Sequence, residues 1–292
     1  MKNSILLLCA GIGLLVGCQK EPNVDISGGG NGGGNGGGGN GGGTTAELLV
    51  KAISVTGSDS VVVNYGYDGA KRLILEKIVG ISQGADVGNE QHIIRDASGI
   101  ITKLVQKNAA FQQVGLDSII SVVYYDAGTS RYTSRVQQIN YLGFSFNDSS
   151  VFIYDAAGKV TQQDEYQSDP LGSGSYIQAF KTEYIYSTSG NLDKFKQYDL
   201  SSGSPNLLAT YVYVHDGKLN PLRLNNETFV IGKPELISAN NVVSFQLIDQ
   251  ITPANSFTTT TTFTYNNNNK PSTGVSTQTP GNIVSNSVYY YQ

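Results

Sequence analysis

From residue 60 onward one pattern recurs: a run in which Tyr, Val or Ile alternates with polar residues, a small polar turn containing glycine, and a second alternating run. Alternation with a period of two marks a half-buried β-strand, and two such runs joined by a polar turn make a hairpin. The turn glycines are Gly69, Gly99, Gly128, Gly158, Gly190 and Gly217, spaced 30, 29, 30, 32 and 27 residues apart. Three turns open on Asp or Ser and place Gly three positions later: Asp96-Ala97-Ser98-Gly99, Asp155-Ala156-Ala157-Gly158 and Ser187-Thr188-Ser189-Gly190. That order suits a type I turn whose last residue is left-handed. Asp68-Gly69 and Asp216-Gly217 suit a tighter, two-residue turn. In one flank Phe180, Thr182, Tyr184 and Tyr186 share a face, with Lys181, Glu183 and Ile185 opposite. No long stretch has helical periodicity.

Beyond residue 229 the pattern loosens. Residues 241–248 and 257–265 read as strands, 266–270 as a turn standing where the earlier aspartate turns stand, and 287–291 as a closing strand. Irregular end units in a repeat array predict a capped sheet edge. The expected fold class is all-β: one elongated or curved antiparallel sheet built from successive β-hairpins over residues 46–292.

Residues 1–17, MKNSILLLCAGIGLLVG, join a basic start to an apolar run too short to span a bilayer, the pattern of a secretory signal peptide. The run ends in Leu15-Val16-Gly17-Cys18, which resembles the lipobox of bacterial lipoproteins. The resemblance implies cleavage before Cys18 and acylation there, and each buried methylene adds roughly 0.8 kcal/mol of membrane binding. By the same likeness, Gln19 rather than Asp after the cysteine implies the outer membrane. Lys20-Glu21 resembles the basic-acidic tag of Bacteroidota lipoproteins exported to the cell surface. Residues 18–45 then form the lipidated start and a tether. Within it, 28–43 are glycine broken only by Asn, a coil of roughly 20–25 Å end to end. A phosphate-cradling loop would need a strand before this tract and a helix after it, and neither is there.

Composition narrows the class. Cys9 and Cys18 are the only cysteines, so the mature monomer has no disulfide and depends on its own core. A net charge of −4 over the whole chain argues against a nucleic-acid footprint, which needs a clustered basic surface. Charged residues make up only 14%, while Tyr, Thr, Ser, Asn and Gly abound, as strands and turns prefer.

Two stretches, Tyr154-Asp155-Ala156-Ala157-Gly158-Lys159-Val160 and Tyr186-Ser187-Thr188-Ser189-Gly190-Asn191-Leu192, resemble the YD repeat of RHS-type proteins. Together with the leader, the layout is similar to that of surface lipoproteins of Bacteroidota carrying YD-like hairpins. The likeness covers about residues 60–220 and 257–292, and its spacing near 30 is long for that repeat. RHS proteins use many more repeats to enclose a toxin, so the resemblance implies a hairpin-built sheet and no activity.

Candidate chemistry is sparse. His92 and His215 are the only histidines, and both read as strand or turn residues rather than catalysts. Gly172-Ser173-Gly174-Ser175 reads as a loop, not a nucleophile elbow. Asp164 and Glu165 are adjacent and so face opposite sides of a strand, which rules them out as a pair across one bond. No metal-ligand spacing appears, and no cofactor or catalytic residue is assigned. The tyrosines suit cross-strand pairing, with a glycan or protein contact surface as the sharper alternative. Asp59-Ser60-Val61 and Asp117-Ser118-Ile119 look like the Asp-Ser-aliphatic acceptor of Bacteroidota O-glycosylation, making Ser60 and Ser118 candidates. The expectation is a monomeric, non-enzymatic binding or structural module at the cell envelope, held to the outer membrane by its lipid and exposed at the surface. Its ligand is left open between a glycan and another surface protein. The alternative is an envelope hydrolase with a carboxylate site on one sheet face.

Overall fold

The computed structural model describes residues 47–113, 115–141, 144–168 and 176–292. The signal peptide, Cys18, the tether and the Gly172-Ser173-Gly174-Ser175 loop lie outside the described residues. The alternating runs become strands. They begin with β1 (Leu49–Thr56), β2 (Asp59–Tyr67), β3 (Leu73–Ser82) and the two-residue β4 (Ala85–Asp86). Next come β5 (Asn89–Arg95), β6 (Ile101–Asn108), β7 (Ile119–Asp126), β8 (Arg131–Tyr141) and β9 (Phe144–Tyr154). After them stand β10 (Val160–Ser168), β11 (Tyr176–Tyr186), β12 (Leu192–Asp199) and β13 (Asn206–Leu219). The last four are β14 (Asn240–Asp249), β15 (Phe257–Tyr265), β16 (Pro271–Thr279) and β17 (Ile283–Tyr291).

Successive strands pair antiparallel, and β17 pairs with β1, placing Ile53 opposite Val288. Because β4 only extends the end of β3, the described residues form a closed barrel of sixteen strands. This corrects the expected open, curved sheet and its capped last edge. An even run of antiparallel strands returns the last strand to the side of the first, and pairing them satisfies two rows of backbone groups that an open sheet leaves exposed.

One end of the barrel, here the near end, carries Leu48 and Gln292, bonded to each other through their backbones, and the short repeat turns. Asp68, Asp96, Asp155 and Asn266 each accept through Oδ1 the backbone N–H four residues on, at 2.9–3.0 Å, and Ser187 Oγ accepts that of Asn191 at 3.1 Å. The third residue after each is left-handed: Lys71, Gly99, Gly158, Gly190 and Asn269. Asp68-Gly69 therefore opens the same turn as its relatives, not a two-residue one. Asp216-Gly217 makes no turn, because β13 runs on through it and keeps pairing with β14 as far as Leu219 opposite Asn240.

A strand-end tyrosine ties three of these turns, and the end of β17, to the neighbouring strand. Tyr67, Tyr154, Tyr186 and Tyr291 donate their hydroxyls to the carbonyls of Leu49, Tyr132, Val160 and Pro271 at 2.6–2.8 Å. Arg131, Lys159 and Lys270 lie over the rings of Tyr154, Tyr186 and Tyr291 at 5.0–5.3 Å. Where the Tyr, Asp, Gly and basic positions recur together, they lock a hairpin to its neighbour.

In place of a short turn, residues 220–239 fold into the near half of the barrel as a plug containing the helix Glu227–Ile231 and the 3-10 turn Pro234–Ile237. Leu222, Leu224, Phe229, Val230, Ile231 and Leu236 are buried there against Tyr65, Ile93, Leu104, Phe152, Val160, Leu192 and other inward residues of the wall. Polar ties fix its position. Arg95 donates both Nη atoms to Glu227 at 2.8 Å, Lys233 pairs with Glu76, Asn226 Nδ2 donates to Gly158 O at 2.9 Å, and Leu192 N donates to Ser238 Oγ at 3.0 Å.

Candidate functional site

The lumen changes character along its axis because the inward-facing positions do. On β9, Asp148, Ser150, Phe152 and Tyr154 share the inner face in order from the far end to the near end. On β15, Phe257, Thr259, Thr261, Phe263 and Tyr265 do the same. The near half is filled by the plug and its mainly apolar packing. The far half is lined by half-buried polar side chains such as Ser54, Gln106, Gln197, Ser276 and Gln278.

Two features meet above the plug. The first is a hydrogen-bonded network across β8 to β11. Arg135 donates Nη1 to Val230 O of the plug at 3.0 Å and Nη2 to Ser150 Oγ at 3.4 Å. Gln163 Nε2 donates to Ser150 Oγ at 3.3 Å and to Glu165 Oε1 at 2.8 Å, while the Tyr184 hydroxyl donates to Gln163 Oε1 at 3.1 Å. Glu165 stands opposite Ser150, and Asp148 opposite Gln167, so the two carboxylates are diagonal neighbours on one face. Burial pushes Glu165 up to about 7. The charge of Asp148 adds to the shift, while Arg135 and the Gln163 hydrogen bond oppose it. Burial also raises Asp148, against the pull of Arg135, and its Oδ1 is shielded with no hydrogen-bond partner. Glu165 therefore holds a proton near neutrality, which is how two nearby carboxylates avoid a shared charge penalty.

The second feature is a ladder of aromatic rings on the inner wall. It runs from Tyr184, edge-on to Phe229 of the plug at 4.8 Å, to Phe195 at 5.9 Å, Tyr211 at 4.1 Å, Phe245 at 6.2 Å and Phe257 at 5.7 Å. Burial, with the nearby charge of Asp249, pushes the Tyr211 hydroxyl up to about 12, so it stays neutral.

The residues singled out from sequence fall elsewhere. His92 points outward, its Nε2 2.5 Å from Glu90 Oε1, and Glu90 also pairs with Lys77 at 2.9 Å. His215 lies within β13 with Nε2 3.1 Å from Ser238 Oγ. Asp164 faces outward and Glu165 inward, as alternation requires, but Glu165 finds its partner in Asp148 on the next strand. Ser60 is exposed and Ser118 half-buried, both at the far end. Sequence reasoning missed Arg135, Asp148, Phe245 and Phe257. The signal was present in FNDSSVFIY and FTTTTTFTY, where one face carries both polar and aromatic residues, as an inner wall polar in one half and apolar in the other demands. No cluster of three His, Cys, Asp or Glu side chains suited to a metal occurs among the described residues, and no described helix is long and apolar enough to cross a membrane.

The closed barrel has solved counterparts. Its fold is similar to that of two Bacteroides porin-like proteins. The protein from Bacteroides uniformis superposes with a TM-score of 0.51 at 11% identity, over 85% of this chain and 99% of the other. The one from Bacteroides vulgatus gives 0.51 at 10% identity, over 84% and 99%. At such identities the fold is what is shared. No protein-family model matches the sequence and no curated protein is similar to it, so the YD-repeat likeness stays confined to its local motifs.

Proposed function

We propose that the chain is a lipid-tethered envelope barrel of the outer membrane, non-enzymatic and non-conducting, that binds a ligand in the far half of its lumen. The observation that carries this reading is polarity along the axis. The first described residues, Glu47 and Leu48, lie at the near end, which the plug closes, while the polar lumen lies at the opposite end, so a lipid tether joined to Glu47 leaves the lumen facing away from the membrane. Ser60 and Ser118, the candidate glycan acceptors, lie at that same distal end.

The outer wall supports a barrel standing beside the membrane rather than in it. Lys77 and Glu90 pair across β3 and β5, Lys181 pairs with Glu183, and Glu183 stands opposite Lys196. A lysine facing lipid near the midplane would cost about 2–4 kcal/mol and an acid less; these charges are interspersed with exposed apolar residues of the same wall, among them Val79, Ile94, Val122 and Ile185. Replacing Cys18 by Ser tests the reading. Acyl labelling should vanish and the intact barrel should appear in the soluble fraction, whereas a Cys18→Ser chain that stays in the membrane overturns it.

A second reading, hydrolysis, draws on one observation: a carboxylic acid that keeps its proton near neutrality beside a carboxylate is the pairing used in glycosidic-bond cleavage. Turnover of any glycan that is lost in Glu165→Gln and in Asp148→Asn would favour it over binding alone.

A further inference from the structure

We infer that the far half of the lumen is an oligosaccharide-binding track, in which sugar rings stack along the aromatic ladder while amide and hydroxyl side chains hydrogen-bond their edges. This rests on the luminal-binding reading above and adds the class of ligand.

Three features of the wall point to a neutral, hydroxyl-rich chain. First, Phe245 and Phe257 face inward yet lie outside the apolar core, half-buried, at the end of a ladder that reaches the plug. A barrel that needed these rings only for packing would close over them, so their open faces are apolar area available to a flat, partly apolar ligand. Second, the ladder crosses four adjacent strands from Phe195 on β12 to Phe257 on β15, about 15 Å, long enough for several rings and too long for a single small metabolite. Third, most inward neighbours are uncharged hydrogen-bonding groups, and the carboxylates among them, Asp249 opposite Ala209 and Asp199 opposite Phe180, already accept backbone N–H groups of the adjoining loops. Thr259 stands opposite Phe245, Gln278 opposite Thr259, and Gln197 beside Ala209 on the inner face. Convergent polar groups flanking aromatic surface are the usual make-up of a ligand site, and this set matches the hydroxyls on the rim of a pyranose. Arg135, Asp148 and Glu165 belong to the network across β8 to β11, on the other side of the ladder's Tyr184 end, where Arg135 opposes the charge of the two carboxylates.

The test is calorimetric titration of the mature lipoprotein in detergent with maltohexaose, cellohexaose, xylohexaose and mannohexaose, each beside its monosaccharide. Saturable binding of at least one hexasaccharide is expected, at least tenfold tighter than its monosaccharide. Phe257→Ala and Phe245→Ala should weaken it at least tenfold, while Phe257→Tyr, which keeps a stacking face, stays within threefold. Phe257 sits at the mouth, away from the core, and thermal melts of the two Phe257 variants report folding independently. No heat with any hexasaccharide, or equal affinity in the alanine variants, overturns the inference. Binding of an oligolysine peptide in place of the sugars, lost in Glu165→Gln and unchanged in Phe257→Ala, overturns the sugar class while leaving luminal binding standing. Membrane retention of Cys18→Ser speaks only to the tether.

Discussion

A single side-chain oxygen shapes each hairpin. Asp96 Oδ1 gathers the N–H groups of Ser98 and Ile100, which leaves Gly99 at a φ of +90°. There a methyl group would meet backbone strain, and it would also lie 1.4 Å from Arg72 Nη1 of the preceding hairpin. Gly99→Ala should therefore cost about 1–2 kcal/mol in urea denaturation. Lys71 occupies the same left-handed position in its own turn, so Lys71→Gly should be neutral or stabilising by up to about 1 kcal/mol. Glu165 makes a different kind of prediction. Its folded-state value lies above that of the unfolded chain, so the folded form binds the extra proton. That contribution is whole below the ordinary glutamate range and fades as pH rises through about 7. Glu165→Gln should match the parent near pH 4 and exceed it in stability at pH 8, by at most about 3 kcal/mol. Equal pH dependence of parent and variant, measured by denaturation at both pH values, would contradict the assignment.

Among the elements, the plug carries the most consequence. Arg95 and Glu227 are both largely buried and bonded through two parallel contacts, which leaves either one costly to strand alone. Arg95→Met should destabilise the barrel by about 3–5 kcal/mol, and adding Glu227→Met should recover most of it. Additive losses in the double variant would mean that the pair does not couple wall to plug. The strands were legible from alternation, and so were the aspartate turns, because both depend on residues close together in sequence. The plug was not. Its apolar residues, from Leu222 to Leu236, break the period of two without making a long helical period, and only the enclosing wall gives them something to bury against. Asp216-Gly217 misled for a related reason: the local turn signal was outweighed by pairing with β14 and by bonds from Tyr265 and Asn241 to Asp216.

At the scale of the molecule, closure decides everything else. Two ends that differ, a plug that fills one half and a lumen that stays polar in the other all require that β17 meet β1. Local sequence cannot announce that contact, since it joins residues more than 230 positions apart; Ile53 and Val288 stand directly opposite each other on the outer wall. Opposed strand positions have Cα separations of about 4.5–5.5 Å, within the range that a disulfide bridges. The direct measurement is therefore oxidation of the mature chain bearing Ile53→Cys and Val288→Cys, read on non-reducing gels and by peptide mapping. An intramolecular Cys-to-Cys link forming in nearly all molecules is the predicted result; no link, or only links between molecules, would mean that the sheet is open and that the lumen and its proposed site do not exist.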